Sequence, residues 1–471
     1  MAKNFLVALT RNTISLVGTA LAVASATLII TLTVIQQMGF QGSAYLGLIT
    51  FVALPMLLLT GLILIPVGIS RERRRMAAAA AEGEESVALF PVLDLNNERV
   101  RKNLIMFLIF TTFSVVVLGS ATYKGVHVMD SVAFCGTVCH TVMQPEYTAH
   151  QRSPHARVPC ADCHIGPGAD WFVKSKISGS WQLIAVALNI YPTPIPTPIH
   201  NLRPARETCE QCHWPTNFVG DLLKVHTNFA EDETNSQSQT SVLLRVGGLA
   251  GRKSSGIHWH VNPDVRIRYK SDESRENIYD IELTRQDGTV TLFKGDPAPE
   301  GEESPDWKVM DCVDCHNRPS HRYRLPSDEV DMAMVSMDID HSLPFVKRES
   351  MRLLQAGYES HDQARADIPT GLKAFYTAEY PELAGAQAEA ISRAGDELVE
   401  IYTSNVFPAM KVDWGTYPDH SGHQESPGCF RCHDRKHKSE EGAKIPRKCD
   451  TCHTLLADEE VDSEILKILN P

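Results

Sequence analysis

All 12 cysteines of this chain fall into six pairs, and a histidine follows each pair at once: Cys135/Cys139-His140, Cys160/Cys163-His164, Cys209/Cys212-His213, Cys312/Cys315-His316, Cys429/Cys432-His433 and Cys449/Cys452-His453. With 19 histidines in 471 residues, six chance placements behind the second cysteine have a probability on the order of 10⁻⁹. The spacing has a chemical cause. In Cys-x-x-Cys-His the two thiols add to the vinyl groups of a haem, and the adjoining imidazole is carried to the iron as an axial ligand. Six covalently attached haems c are therefore expected. Zinc sites and redox dithiols also use Cys-x-x-Cys, yet neither requires the fused histidine six times, and a disulfide framework does not produce it. The first motif is irregular, with three residues between Cys135 and Cys139 where the others have two.

Three apolar segments without charged residues, Ile14–Ile35, Ala44–Ile69 and Leu104–Thr122, are each long enough to cross a bilayer as a helix. Ala22-Val23-Ala24-Ser25-Ala26 looks like a signal-peptide cleavage site, but apolar sequence continues through Leu28–Ile35 and favours a span. The connection between the second and third segments carries Arg71, Arg73, Arg74, Arg75, Arg99, Arg101 and Lys102, whereas Gln36–Ser43 has no basic residue. Positive charge stays inside. The expected order is a two-helix transmembrane hairpin over 1–70, a basic cytoplasmic loop over 71–102 and a third transmembrane helix over 103–123. Lys3 and Arg11 put the N-terminus on the cytoplasmic side. Everything from about Lys124 then lies periplasmic to the bacterial inner membrane, where haem c is attached.

Residues 124–471 hold 36 Lys/Arg against 51 Asp/Glu. Such a surface repels nucleic acid and attracts a basic partner, for instance a small lysine-rich periplasmic cytochrome c. Within it, 124–228 and 307–325 carry four motifs with little room for an apolar core, so haem itself is expected to fill much of the interior. The prolines of Pro192–Pro198 read as an extended connector. Across 229–306, Val242–Val246, Ile257–Val261, Val265–Tyr269, Tyr279–Leu283 and Thr289–Phe293 read as short strands, with a turn at Asp287-Gly288. The remainder, 326–471, reads as a helical segment, clearest at Met351–Leu354 and Ala386–Val399, followed by a dihaem region. The fold class expected is a membrane-anchored multihaem cytochrome c: three transmembrane helices and a mostly α and irregular, haem-packed periplasmic domain with a small β insertion.

A low-spin electron-transfer haem needs a second strong-field ligand, histidine or methionine. Beyond His140, His164, His213, His316, His433 and His453, the candidates are His155, five residues before Cys160, and His321, five after His316. His258 and His260 alternate in a strand-like run that would present both on one face. His341 and His423 form a weaker tier with His226 and His420. Met143, close behind the irregular motif, is either an axial ligand or a side chain packed on porphyrin.

This layout resembles the NapC/NirT/NrfH family of membrane-bound quinol-oxidising cytochromes c, over roughly Leu104–Arg324 less the β insertion. The resemblance implies that haem 1 lies nearest the membrane with Met143 beside it as the point of electron entry. It also implies that His155 ligates haem 4 and His321 ligates haem 2. A lysine after motif 2 belongs to the family's quinol site, and Lys174 and Lys176 are the matches, although membrane lipid headgroups would attract the same side chains. Three membrane segments and six motifs exceed the family's usual one helix and four haems, and the expected acidic partner downstream is absent. The larger architecture is similar to inner-membrane cytochromes of metal-respiring bacteria.

The leading expectation is menaquinol oxidation at the outer membrane face, with electrons drawn from the quinone pool and passed to a soluble carrier. The rivals are a terminal reductase, which needs an open iron often signalled by Cys-x-x-Cys-Lys and finds none here, and a passive haem subunit. A homo-oligomer and a larger membrane complex are both compatible with the sequence.

Overall fold

The computed structural model describes residues 12–37, 49–81, 96–129, 131–137, 140–166, 169–199, 202–214, 218, 220–247, 256–300, 306–461, 463, 464 and 467. It forms two compact units, Met1–Cys135 with Pro159–Trp181, and Gly136–Val158 with Gln182–Pro471.

In the first unit, α1 (Thr13–Gln37) and α2 (Leu54–Ala81) are each long and apolar enough to cross a membrane, over Thr13–Leu32 and Leu54–Glu72. Small residues let the two backbones meet. A Cβ on Gly61 would lie 2.7 Å from Gly18 O and 2.8 Å from Ala22 N, the close approach by which apolar helices associate where water gives no drive. Ser15 Oγ donates to Ile65 O at 2.9 Å across the same seam. Arg71–Arg75 continue α2, so the expected basic loop is helical as far as Ala81. Residues 82–95 lie outside the described residues. α3 (Glu98–Met129) contains the third apolar segment, with its apolar centre at Thr111–Ser120.

The second unit begins with α4 (His140–Gln151), and α5 (Ala169–Ala187) leads into it. Among the described residues, its largest apolar core contains no haem-motif residue. In α8 (His361–Glu379), Ala364, Ile368, Leu372 and Tyr376 recur every fourth residue and are fully buried. They meet Ile391, Ala394, Leu398 and Ile401 of α9 (Ala388–Asn405), the stripe expected of a helix with one face inside. α6 (Pro326–Val335) and α7 (Val346–Leu354) complete it.

The described residues of this unit also form two antiparallel sheets. One runs β5 (Val290–Lys294), β4 (Ile278–Arg285), β3 (Val265–Ser271), β6 (Lys308–Val309). The other runs β1 (Leu222–Phe229), β2 (Gln237–Leu244), β7 (His453–Glu460). The expected strand over Ile257–Val261 is instead a 3-10 turn, Gly256–Val261, held to the end of β2 by Ile257 N–H donating to Arg245 O at 2.7 Å. Its first residue, Gly256, has φ +70°, which glycine adopts without strain. The second sheet draws on residues at both ends of the soluble sequence: Leu244 pairs with His453, and Arg245 N–H donates to Cys452 O at 2.8 Å.

Candidate haem-binding sites

Four motif histidines face a second imidazole across gaps of one size. Ring centres are 6.0 Å apart for His213 and His155, 6.4 Å for His316 and His258, 5.8 Å for His433 and His260, and 6.1 Å for His453 and His423. A metal–nitrogen bond is about 2 Å and a ring centre lies roughly 1 Å behind its nitrogen, so two imidazoles sharing one iron have centres roughly 6 Å apart.

The donor chemistry fits the same group. Nδ1 of His155 lies 3.3 Å from Pro319 O, of His258 2.8 Å from Val246 O, of His260 2.8 Å from Ile257 O, and of His433 2.5 Å from Pro446 O. A carbonyl can only accept, so each Nδ1 carries the proton and Nε2 keeps its lone pair, as a metal-binding imidazole requires. Burial lowers the pKa of His260 and of His316, their imidazole neighbours adding to the effect, and so favours the neutral form a metal takes.

His258 and His260 do not share a face, because residues two apart on a 3-10 turn are rotated by roughly 240°. One ring meets motif 4 and the other motif 5. That placement also alters the family pattern: the ring opposite His155 is His213 of motif 3, and the position opposite His316 is taken by His258.

His321 is anchored in like manner, its Nδ1 3.0 Å from Glu146 O and 3.1 Å from Glu146 Oε2. Its ring centre is 6.2 Å from His150, whose Nε2, not Nδ1, meets a carbonyl, that of Val158 at 3.1 Å. His341 stacks on Phe229 at 5.6 Å and faces no motif histidine among the described residues. His420 Nε2 is taken by Glu276 at 2.7 Å.

The motif cysteines differ in exposure. Cys163 and Cys212, both expected to bind haem, are exposed, as are Cys429 and Cys449. In the one-turn helix Cys160–His164 the residue turned inward is Ala161, and Cys163, two positions on, is rotated by roughly 200° to the outer face. Cys212 stands beyond the short helix Ala205–Cys209, whose buried residue is Ala205, on a turn closed by its own N–H donating to Cys209 O at 3.1 Å. The first cysteine of each of these motifs, Cys160 and Cys209, is half-buried, so the two sulfurs of one motif differ in surroundings.

Cysteines of successive motifs also meet. Cys135 hydrogen-bonds Cys160, lowering the Cys160 pKa to about 7, and Cys312 hydrogen-bonds Cys209, lowering that thiol too. A thiolate is the nucleophilic form. No disulfide forms among the described cysteines, and no group of three or more acidic, histidine or cysteine side chains among the described residues is arranged for a bare metal ion. Cys139 lies outside the described residues. His140 opens α4, and Met143 sits half-buried one turn further on.

The lysines singled out in the sequence lie on α5. Lys174 is exposed, its Nζ 4.4 Å from the centre of the Trp171 ring, and Lys176 follows on the same helix. Beyond them Ile177 and Trp181, 70% and 62% exposed, begin a stripe continued by Ile184 and Leu188.

Residues 97–195 match the model of the NapC/NirT cytochrome c family, N-terminal region, and the chain belongs to that family of electron-transfer proteins with covalently bound haem c. It is 40% identical over 449 residues to the cytochrome c-type protein ImcH of Geobacter sulfurreducens (strain ATCC 51573 / DSM 12127 / PCA), an alignment spanning 94% of this chain and 88% of that protein. No solved structure matches it.

Proposed function

We propose that the chain oxidises menaquinol at the outer face of a bacterial inner membrane and delivers the electrons through six haems c to a periplasmic carrier. The observation that carries this reading is α5. Ile177, Trp181, Ile184 and Leu188 recur at helical spacing, yet all are exposed, which suits a helix lying in the membrane interface with an indole among its anchors. Lys174, at the polar start of that stripe, would hold a quinol oxygen, with Lys176 beside it. α3 serves as the third crossing, placing 124 onward outside.

In this reading His213 and His155 serve motif 3, His316 and His258 motif 4, His433 and His260 motif 5, and His453 and His423 motif 6. Met143 is assigned to motif 1. His321 is a further axial ligand. Cys163 and Cys212 keep their roles as attachment residues, since a thioether forms at the edge of the porphyrin and asks only that the sulfur be within reach of a vinyl group. Haem c, when bound, supplies a one-electron ferric–ferrous couple at each site. The residues' part is to supply the imidazoles, with the tautomers of His155, His258, His260 and His433 fixed through a carbonyl. A terminal reductase would need an open axial position, and the four imidazole pairs argue against one at motifs 3 to 6.

The test mixes the detergent-purified protein with a menaquinol analogue and follows haem absorbance. Rapid reduction is expected, slowed at least tenfold by Lys174→Ala or by Trp181→Asp, with the dithionite-reduced spectrum unchanged. A protein that dithionite reduces fully but quinol does not would overturn the reading.

A further inference from the structure

Motifs 4 and 5 are joined by a polar network, two of whose members stand inside the motifs themselves. Asp314 lies between Cys312 and Cys315, and Arg431 between Cys429 and Cys432. Asp314 is only 4% exposed. Its carboxylate accepts from Tyr269 Oη at 2.5 Å, from Arg275 Nη1 at 3.1 Å and from the Asp311 N–H at 2.7 Å. Arg431 donates Nη2 to the Asp314 carbonyl, Nη1 to Arg275 O at 2.7 Å and Nε to Gly428 O at 3.0 Å.

The charge itself is sheltered, with Tyr269 2% exposed and the Asp314 side chain 5%. Burial, then the Asp314 charge, holds the Tyr269 hydroxyl far above its ordinary range. On the far side, His258 and His260 face the two motifs from a single turn. A fixed charge in a low-dielectric site acts strongly on a neighbouring redox centre, and haem potentials respond to charge and burial.

We propose that Asp314, Arg275, Tyr269 and Arg431 form a shared tuning element that sets the potentials of the fourth and fifth haems together, the carboxylate holding both low. Negative charge favours the ferric state, and Tyr269 and the two arginines moderate it. These are positioning and tuning residues, and the inference rests on the axial pairs assigned above.

The experiment is a mediated redox titration of the full-length protein in detergent, with the haem count checked in each variant. In Asp314→Asn, two of the six one-electron steps should shift upward by about tenfold in equilibrium, 59 mV, while the other four stay in place. Tyr269→Phe removes a donor from the carboxylate, so the same two steps should shift downward. Opposite signs are the mark of charge. No shift in either variant, all six steps moving together, or both variants moving the same way would overturn the proposal. Failure of the axial assignment reads out separately, as high-spin bands or fewer than six haems in the unsubstituted protein. Mediators bypass the quinol, so the test does not depend on menaquinol as donor.

Discussion

Replacing Asp331 by alanine removes half of an ion pair inside the haem-free helical core. Lys347 Nζ lies 2.6 Å from Asp331 Oδ1, with the two side chains 3% and 8% exposed. Lys347 Nζ also donates to Ser327 O at 2.8 Å, and the same Asp331 Oδ1 accepts the Phe229 N–H at 3.1 Å, tying the end of β1 to α6. The variant strands a buried ammonium, which costs about 3–5 kcal/mol, and unpairs an N–H, which costs about 1–3 kcal/mol. Both losses pass through one oxygen, so they overlap, and about 4 kcal/mol is expected. At about 2–4 °C per kcal/mol the melting temperature falls on the order of 10 °C.

Burial is the largest influence on both partners, raising the Asp331 pKa and lowering that of Lys347. The pair therefore yields little net stability, and Asp331→Leu with Lys347→Met should stay within about 2 kcal/mol of the parent. Lys347→Met alone leaves the carboxylate unpaired. A raised folded pKa means its stability contribution is full below 3.8 and lost as pH rises through the folded value. That variant should melt nearest the parent at acid pH. Thermal unfolding followed by far-ultraviolet circular dichroism measures all three, and an Asp331→Ala protein within about 1 kcal/mol of the parent would refute the reasoning.

The imidazole planes make a spectroscopic prediction: the angles are 78° for His155/His213 and 80° for His260/His433 but 16° for His258/His316 and 31° for His423/His453. Electron paramagnetic resonance of the oxidised protein should resolve two strongly anisotropic and two rhombic low-spin haems from these four. His260→Ala should convert one haem to a high-spin form binding one equivalent of carbon monoxide in the reduced state, which carbon monoxide difference spectra will count. Gly61→Val should separate α1 from α2, since its Cβ would meet backbone at Gly18 and Ala22, and so lower the yield of membrane-inserted protein by several-fold, read by immunoblot of membranes.

Covalent haem c, which the family shares, was legible because the chemistry of two thioether bonds and one iron bond is written in consecutive residues. Which sulfur of a motif faces outward was not, because the rotation that exposes Cys163 is set by the burial of Ala161 and not by the cysteine spacing. The imidazole pairs were half legible. His258 and His260 stood out by proximity, but their run reads as a strand, and only the bond from Ile257 to Arg245 turns it into the 3-10 turn that sends them to different motifs. The anchors of Nδ1, Val246 O and Pro446 O among them, are backbone atoms brought from elsewhere and leave no mark in composition. β1 was missed although Leu223, Val225 and Phe229 alternate with Lys224, His226 and Asn228, because all but its last residue precedes the β-rich stretch read over 229–306, and β7 because its partner is remote in sequence. Asp314 and Arg431 occupy the variable positions of their motifs, where any residue satisfies the attachment pattern, so nothing local marks them as joined.

The pairing of β7 with β2 gives the chain an order of assembly. Leu244 emerges early and must wait for His453, so until the last segment is made β2 presents an open edge, the kind of surface on which unfinished chains aggregate. Closure of that edge and completion of the final motif share a residue, His453. A chain cut short before Cys449 would lose more than its last motif: it would leave a permanent template for mispairing, and a protease would have a physical basis for telling finished molecules from unfinished ones.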